Sequence, residues 1–230
     1  MDCARQILRD GPHIVQGRII NMVFKNNFLQ PILKEAGEGL GVWLKAEKDP
    51  KALRPMVMMA AGYNVVQAIP ALEELDRREP TPLPRELFFA LTGLERKNFQ
   101  PRLIEHLLHN KEAETRRAAA EELGTWGDQQ CYDALITALA DPAVNYSACV
   151  AISRCWRADL ATPAQYEKAM GILINLVENG SKYEREGGEM ALLRVNLLVG
   201  RPGSDGLYEP DPKKAAAAWR AYWESHRKKE

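Results

Sequence analysis

Between Pro101 and Arg157 the apolar positions follow a helical period twice over. Leu103, Ile104, Leu107 and Leu108 recur at i, i+1, i+4 and i+5, and Ala118, Ala119, Ala120 and Leu123 share one face of the next segment. That spacing belongs to amphipathic helices. A short polar turn separates the two segments, and the same helix, turn, helix order repeats up to Arg157. The pattern predicts stacked helical hairpins, with Gly124 closing one of them.

Laid over itself at a fixed offset, the sequence repeats. Gly62, Gly93, Gly124 and Cys155 lie 31 residues apart, each just after a helical run. The same offset relates Arg54, Arg85 and Arg116, and also Pro70 and Pro101, both placed where a helix would begin and where a missing N–H is tolerated. Self-similarity at one period is the mark of a repeat architecture.

Read in order, the chain opens with two short helical patterns over 1–27 that suit an N-terminal cap. A longer helix then runs from Pro31 toward Asp49-Pro50, its middle weakened by Gly37, Gly39 and Gly41. Regular units begin at Lys51. They predict helices over Lys51–Ala61, Val66–Arg78 and Leu83–Leu94, a turn at Asn98–Pro101, and the central stretch beyond it. After Cys155 the strict period lapses. Thr162 is placed to cap a helix over Pro163–Asn179, and another helix follows from about Tyr183 to Val199. The paired Gly187-Gly188 within it predicts a kink or a close helix contact. Residues 200–212 form the one clear linker, and Asp211-Pro212 introduces a last helix that puts Trp219, Tyr222 and Trp223 on one face.

The run Glu114-Thr115-Arg116-Arg117-Ala118-Ala119-Ala120-Glu121-Glu122-Leu123-Gly124, followed by Trp126-Gly127-Asp128 and by Leu135-Ile136 up to Asp141-Pro142, resembles the short HEAT repeats first described in phycobilisome lyases and common in bacteria. Their unit is about as long as the offset found here and shorter than the ~40–47 residues of other HEAT and armadillo units. The resemblance covers about residues 51–157. It implies an all-α, right-handed solenoid of antiparallel helix pairs: a single domain over 1–230, with a cap at 1–27, repeats over 28–199 that are most regular at 51–157, the linker 200–212 and a capping helix at 213–230.

The resemblance also implies roles for particular residues. Arg54, Arg85 and Arg116 would form a structural ladder, donating to acidic groups or carbonyls of the adjacent unit, as the planar guanidinium permits. The second helix of each pair would line a concave surface that takes a protein or peptide partner. Three residues before the turn landmark the units carry Met59, Ala90, Glu121 and Ile152, and six before it Met56, Leu87, Ala118 and Cys149. Where the most regular unit has Glu121 and neighbouring Arg117, the two earlier units are apolar. Met56, Met59, Leu87 and Ala90, with Arg117 and Glu121, are therefore the candidate partner-binding residues, since Met repacks around different ligands.

Composition narrows the function further. Lys plus Arg number 31 and Asp plus Glu number 31, so no global field draws the chain toward nucleic acid or an anionic membrane. No apolar run approaches the ~20 residues of a membrane span, and the opening Met1-Asp2-Cys3-Ala4-Arg5 does not begin a signal peptide, which leaves the cytoplasm as the default. Cys3, Cys131, Cys149 and Cys155 contain no Cys-x-x-Cys pair and fit buried reduced thiols.

His106 and His109 have a spacing that can hold a metal on one helix face, but no third ligand accompanies them. The Gly-rich stretch 200–206 lacks the Lys-Ser/Thr ending of a phosphate loop. The many glutamates fall on predicted helix exteriors. No catalytic residue, cofactor or metal is expected, and the chain reads as a non-catalytic interaction scaffold. Two other functions follow from the family resemblance. One is a lyase or chaperone subunit acting on a chromophore-bearing protein. The other is a HEAT-like DNA glycosylase, for which Trp126 and Trp156 would be the residues of interest; the neutral charge argues against nucleic acid.

Overall fold

The computed structural model describes residues 33–196 and 209–227, together with the single positions Arg18 and Met22. The expected N-terminal cap over 1–27 and the linker up to residue 208 lie outside the described residues. Among those described, every regular element is a helix. The elements are α1 (Leu33–Ala46), α2 (Pro50–Gly62), a 3₁₀ turn (Val66–Ala68), α3 (Ile69–Asp76), α4 (Pro84–His109), α5 (Ala113–Leu123), α6 (Gln129–Ala138), α7 (Asn145–Cys155), α8 (Pro163–Asn179), α9 (Lys182–Val195) and α10 (Pro212–Arg227). They divide into two compact units, Met1–Pro101 and Arg102–Glu230.

In the first unit α1 packs on α2, on the 3₁₀ turn and on α3. Leu40, Leu44, Leu53, Val57, Leu72 and Leu75 are buried, and the Phe88 and Phe99 rings lie 5.7 Å apart. The glycines of α1 do not break it. A Cβ on Gly37 would come within 2.9 Å of Gln67 Oε1 and 3.0 Å of Val65 Cγ1, so the bare backbone admits the 3₁₀ turn at close range. Asp49 caps α2 by accepting from Lys51 N at 3.0 Å. Arg78, at the end of this helix pair, donates to the carbonyls of Lys45 (2.8 Å) and Glu47 (3.1 Å). Those contacts satisfy carbonyls that the end of α1 leaves without intrahelical partners.

Two boundaries differ from the sequence pattern. The segment expected as a helix from Val66 begins instead as the 3₁₀ turn, with Pro70 in the first turn of α3. The turn expected at Asn98–Pro101 is absent. Those residues are helical, and the chain breaks its helix at Glu95 (φ −127°, ψ 25°), two residues past Gly93. Pro101 then sits inside α4.

The second unit has two layers. Helices α5, α7 and α9 lie side by side in one, and α6, α8 and α10 form the other. Turns between them are tight and capped. Gly127 adopts φ +71°, and a Cβ there would meet Cys155 O at 2.9 Å; Asp128 then caps α6 by accepting from Cys131 N at 2.9 Å. Thr162 and Gln165 form a reciprocal capping box on α8, as Ser181 and Glu184 do on α9.

Polar contacts tie helices together both within a layer and between the two. Gln165 Nε2 donates to Asp133 Oδ1 (2.9 Å) and Gln129 O (3.1 Å), tying α8 to α6. Tyr132 Oη donates to Cys155 O (3.0 Å) and accepts from Arg157 N (2.9 Å), and its ring lies 4.8 Å from that of Trp156. Trp219 of α10 is buried in the helix that lies on α8, where Arg220 pairs with Glu178. One glutamate departs from the expected solvated faces: Glu189 of α9 is fully buried.

Candidate partner-binding surface

The candidate residues from the repeat comparison separate in the structure. Met56 is 7% exposed, Leu87 and Ala90 are at 0%, and Met59 is half-buried. Their equivalents in the later units, Ala118, Cys149 and Ile152, are buried too. The positions three and six before each turn thus mark the face a helix turns toward its neighbours, and the apolar groove expected at Met56, Leu87 and Ala90 is not open. Arg117 is exposed and its Nε donates to Ala143 O at 2.6 Å, while Glu121 is half-buried.

The recurring arginines make the contacts their shape allows. Arg54 pairs with Glu86 at 3.1 Å. Arg116 donates from Nε to Asp141 Oδ2 (2.8 Å) and from a terminal nitrogen to the carbonyls of Asn110 (2.9 Å) and Lys111 (3.0 Å). Arg85 is exposed on α4. The offset breaks at the next position, where Ser147 is buried.

An exposed surface is built elsewhere, on α7 and α9. These helices run parallel, because successive contacts advance along both. Asn145 Nδ2 donates to Glu184 Oε1 at their N-terminal ends. A Cβ on Gly187 would fall 3.0 Å from Tyr146 Cδ2 and 3.2 Å from Cys149 Cβ, and one on Gly188 would fall 3.2 Å from Leu173 O of α8. The paired glycines therefore mark a close contact on both sides of α9. Two hydrogen-bonding groups, the Asn145 amide first and then Ser181, hold the Glu184 carboxyl below the usual carboxylate range.

Over this junction the outward stripe of α9 carries Tyr183, Met190 and Arg194, and that of α7 carries Tyr146 and Arg154. Tyr183 is 69% exposed, Tyr146 45% and Met190 38%. The two tyrosine rings meet edge to face, with centroids 6.4 Å apart and planes at 78°. Arg154 and Arg194 stand in the last turns of their helices. Beneath them, burial pushes the Cys155 thiol up to about 12, and the Arg194 guanidinium lies near enough to act in the opposite direction.

The repeat period missed this surface because it lapses after Cys155, so α9 has no partner at the 31-residue offset. A local signal does exist. Tyr183, Met190 and Arg194 at i, i+7 and i+11 place an aromatic, a thioether and a cation along one helix face.

A family model for HEAT repeats matches residues 101–192. HEAT repeats are in general protein-interaction scaffolds. The matched HEAT segment takes in α5 to α8 and most of α9, so it begins later and reaches further than the 31-residue regularity. No curated protein matches the chain.

Among the described residues no group of three or more His, Cys, Asp or Glu is placed to hold a metal, and His106 of the candidate pair contacts Asn110 Nδ2 at 3.2 Å. Trp156 is 1% exposed and lies against Tyr132, so it offers no face to an extruded base. Cys131, Cys149 and Cys155 are buried free thiols, with burial raising Cys149 to about 12 as well. Among the described residues no helix is long and apolar enough to cross a membrane. A concavity of about 510 Å³ lies between Pro142, Asn145, Ile172, Leu176, Asn179 and Glu184. Its amides are already engaged, Asn145 with Glu184 and Asn179 with Asn175 at 2.8 Å.

Proposed function

We propose that this protein is a non-catalytic, cytoplasmic interaction scaffold that holds a protein or peptide segment on the layer formed by α5, α7 and α9. The observation that carries the reading is the exposed Tyr146–Tyr183 pair with Met190 alongside it, on helices fixed from below by close backbone contact. Tyr, Met and Arg are the side chains enriched where proteins meet, and a rigid aromatic loses little entropy on binding. Large apolar groups grouped on a solvent-facing helix surface mark such sites.

The test is peptide display on the full chain, followed by transfer of each selected peptide to the variants Tyr183→Ser and Met190→Ser. Both side chains are exposed, so the thermal midpoint should stay within the range of a surface change, about 0.5 kcal/mol. Selected peptides should lose binding to Tyr183→Ser. If peptides selected on the wild-type chain bind both variants unchanged, the surface is not the partner site.

A further inference from the structure

The α7–α9 face is asymmetric along its length. Its N-terminal end carries the Tyr146–Tyr183 pair and its middle carries Met190. Its C-terminal end carries Arg154 and Arg194, both exposed, and among the described residues neither makes an ion pair or a side-chain hydrogen bond. Four other arginines of this unit are occupied: Arg116 by Asp141, Arg157 by Asp159, Arg220 by Glu178, and Arg117 by the Ala143 carbonyl. A cation is favourable in the last turn of a helix, where the backbone carbonyls gather. The fold thus holds two guanidinium groups at one end of an apolar and aromatic strip without neutralising them. On the outer edge of α9, exposed Glu186 and Lys182 carry opposite charges.

From this we infer that the segment bound by the scaffold is an acidic peptide, with an apolar side chain seated at Tyr146, Tyr183 and Met190 and its carboxylates meeting Arg154 and Arg194. The inference rests on the reading of the α7–α9 face as the partner site. Planar guanidinium groups donate to carboxylates in two-point contacts, and the aromatic rings supply the apolar seat. A nucleic acid fits less well, because the chain has no net charge to attract a phosphate backbone and Glu186 stands beside the strip.

The experiment uses fluorescein-labelled synthetic peptides of about eight residues, long enough when extended to pass the ~16 Å length of α7. One pool carries Leu or Phe among Asp and Glu, a length-matched pool carries Lys in place of the acids, and a single-stranded oligothymidylate serves as the third probe. Binding to the full chain is read by fluorescence anisotropy. The acidic pool should bind, and should weaken as salt rises from about 0.05 to 0.15 M. The double variant Arg154→Gln/Arg194→Gln should bind it about tenfold more weakly, the scale of two exposed charge contacts.

Equal binding of the lysine pool, or an unchanged affinity in the arginine double variant while Tyr183→Ser still abolishes binding, overturns the acidic partner and leaves the scaffold reading standing. Peptide binding that ignores Tyr183→Ser overturns the face itself. Oligothymidylate that binds more tightly than the acidic pool and displaces it, with loss in the arginine variant, assigns the site to nucleic acid and likewise overturns the inference.

Discussion

Replacing Gly124 by Ala should destabilise the second unit, although Ala is the better helix residue. Gly124 has an ordinary φ of −60°, so the cost lies in space and not in backbone strain. A Cβ built there stands 2.9 Å from Ala151 Cα, 3.1 Å from Ala151 Cβ and 3.2 Å from Glu121 O. None of these three atoms can rotate away: Ala151 Cα and Glu121 O are backbone, and Ala151 Cβ is fixed to it. To accept the methyl group, α5 and α7 must move apart, which loosens contacts along both buried faces. Overpacking of this kind costs about 1–3 kcal/mol. Against it stands a gain of about 0.4–1 kcal/mol from reduced freedom of the unfolded chain.

The net is a loss of roughly 1–2 kcal/mol, or about 2–8 °C in thermal midpoint for a chain of this size. Gly62→Ala and Gly93→Ala are the controls. They occupy the same repeat position, yet a Cβ at either meets nothing within 4 Å, so both should be neutral or slightly stabilising. Thermal melts followed by far-UV circular dichroism, with urea midpoints alongside, measure all three. A Gly124→Ala protein as stable as the two controls would refute the claim that close approach of α5 and α7 requires glycine there.

Arg116→Ala removes three hydrogen bonds made by a side chain only 18% exposed and should cost about 2–3 kcal/mol, roughly 4–12 °C by the same scaling; Arg116→Lys should recover only part, lacking the planar fork. A midpoint within 1 °C of wild type, by about the resolution of such melts, would deny Arg116 its structural part. The thiols give a pH-dependent expectation. Burial lifts Cys149 and Cys155 to about 12 from 9.0, so the folded chain holds these protons while the unfolded chain releases them. That contribution to stability is whole below pH 9 and declines as pH rises toward 12. Iodoacetamide at about pH 8, with peptide mapping by mass spectrometry, should leave Cys131, Cys149 and Cys155 unmodified until urea unfolds the chain; labelling of Cys149 in the native protein would contradict its burial.

Much of the local architecture was decided by the sequence alone. Period and turn residues determine where α5, α6 and α7 begin and end. Thr162, Pro163 and Gln165 specify the start of α8 through a capping box, and Asp211-Pro212 specifies α10, because caps are satisfied within a few residues of chain. The choice of which apolar positions face water was not local. Met56, Leu87 and Ala90 lie on faces that the packed structure covers. Tyr146 and Tyr183 stay outside because the glycines of α9 bring that helix close against α7 and α8 underneath them. Helical periodicity defines an apolar face but says nothing of what lies against it, and that depends on distances between helices far apart in the chain. The same reason separates the periodic glycines: only the tertiary structure brings Ala151 up to Gly124 and leaves Gly62 and Gly93 with open space.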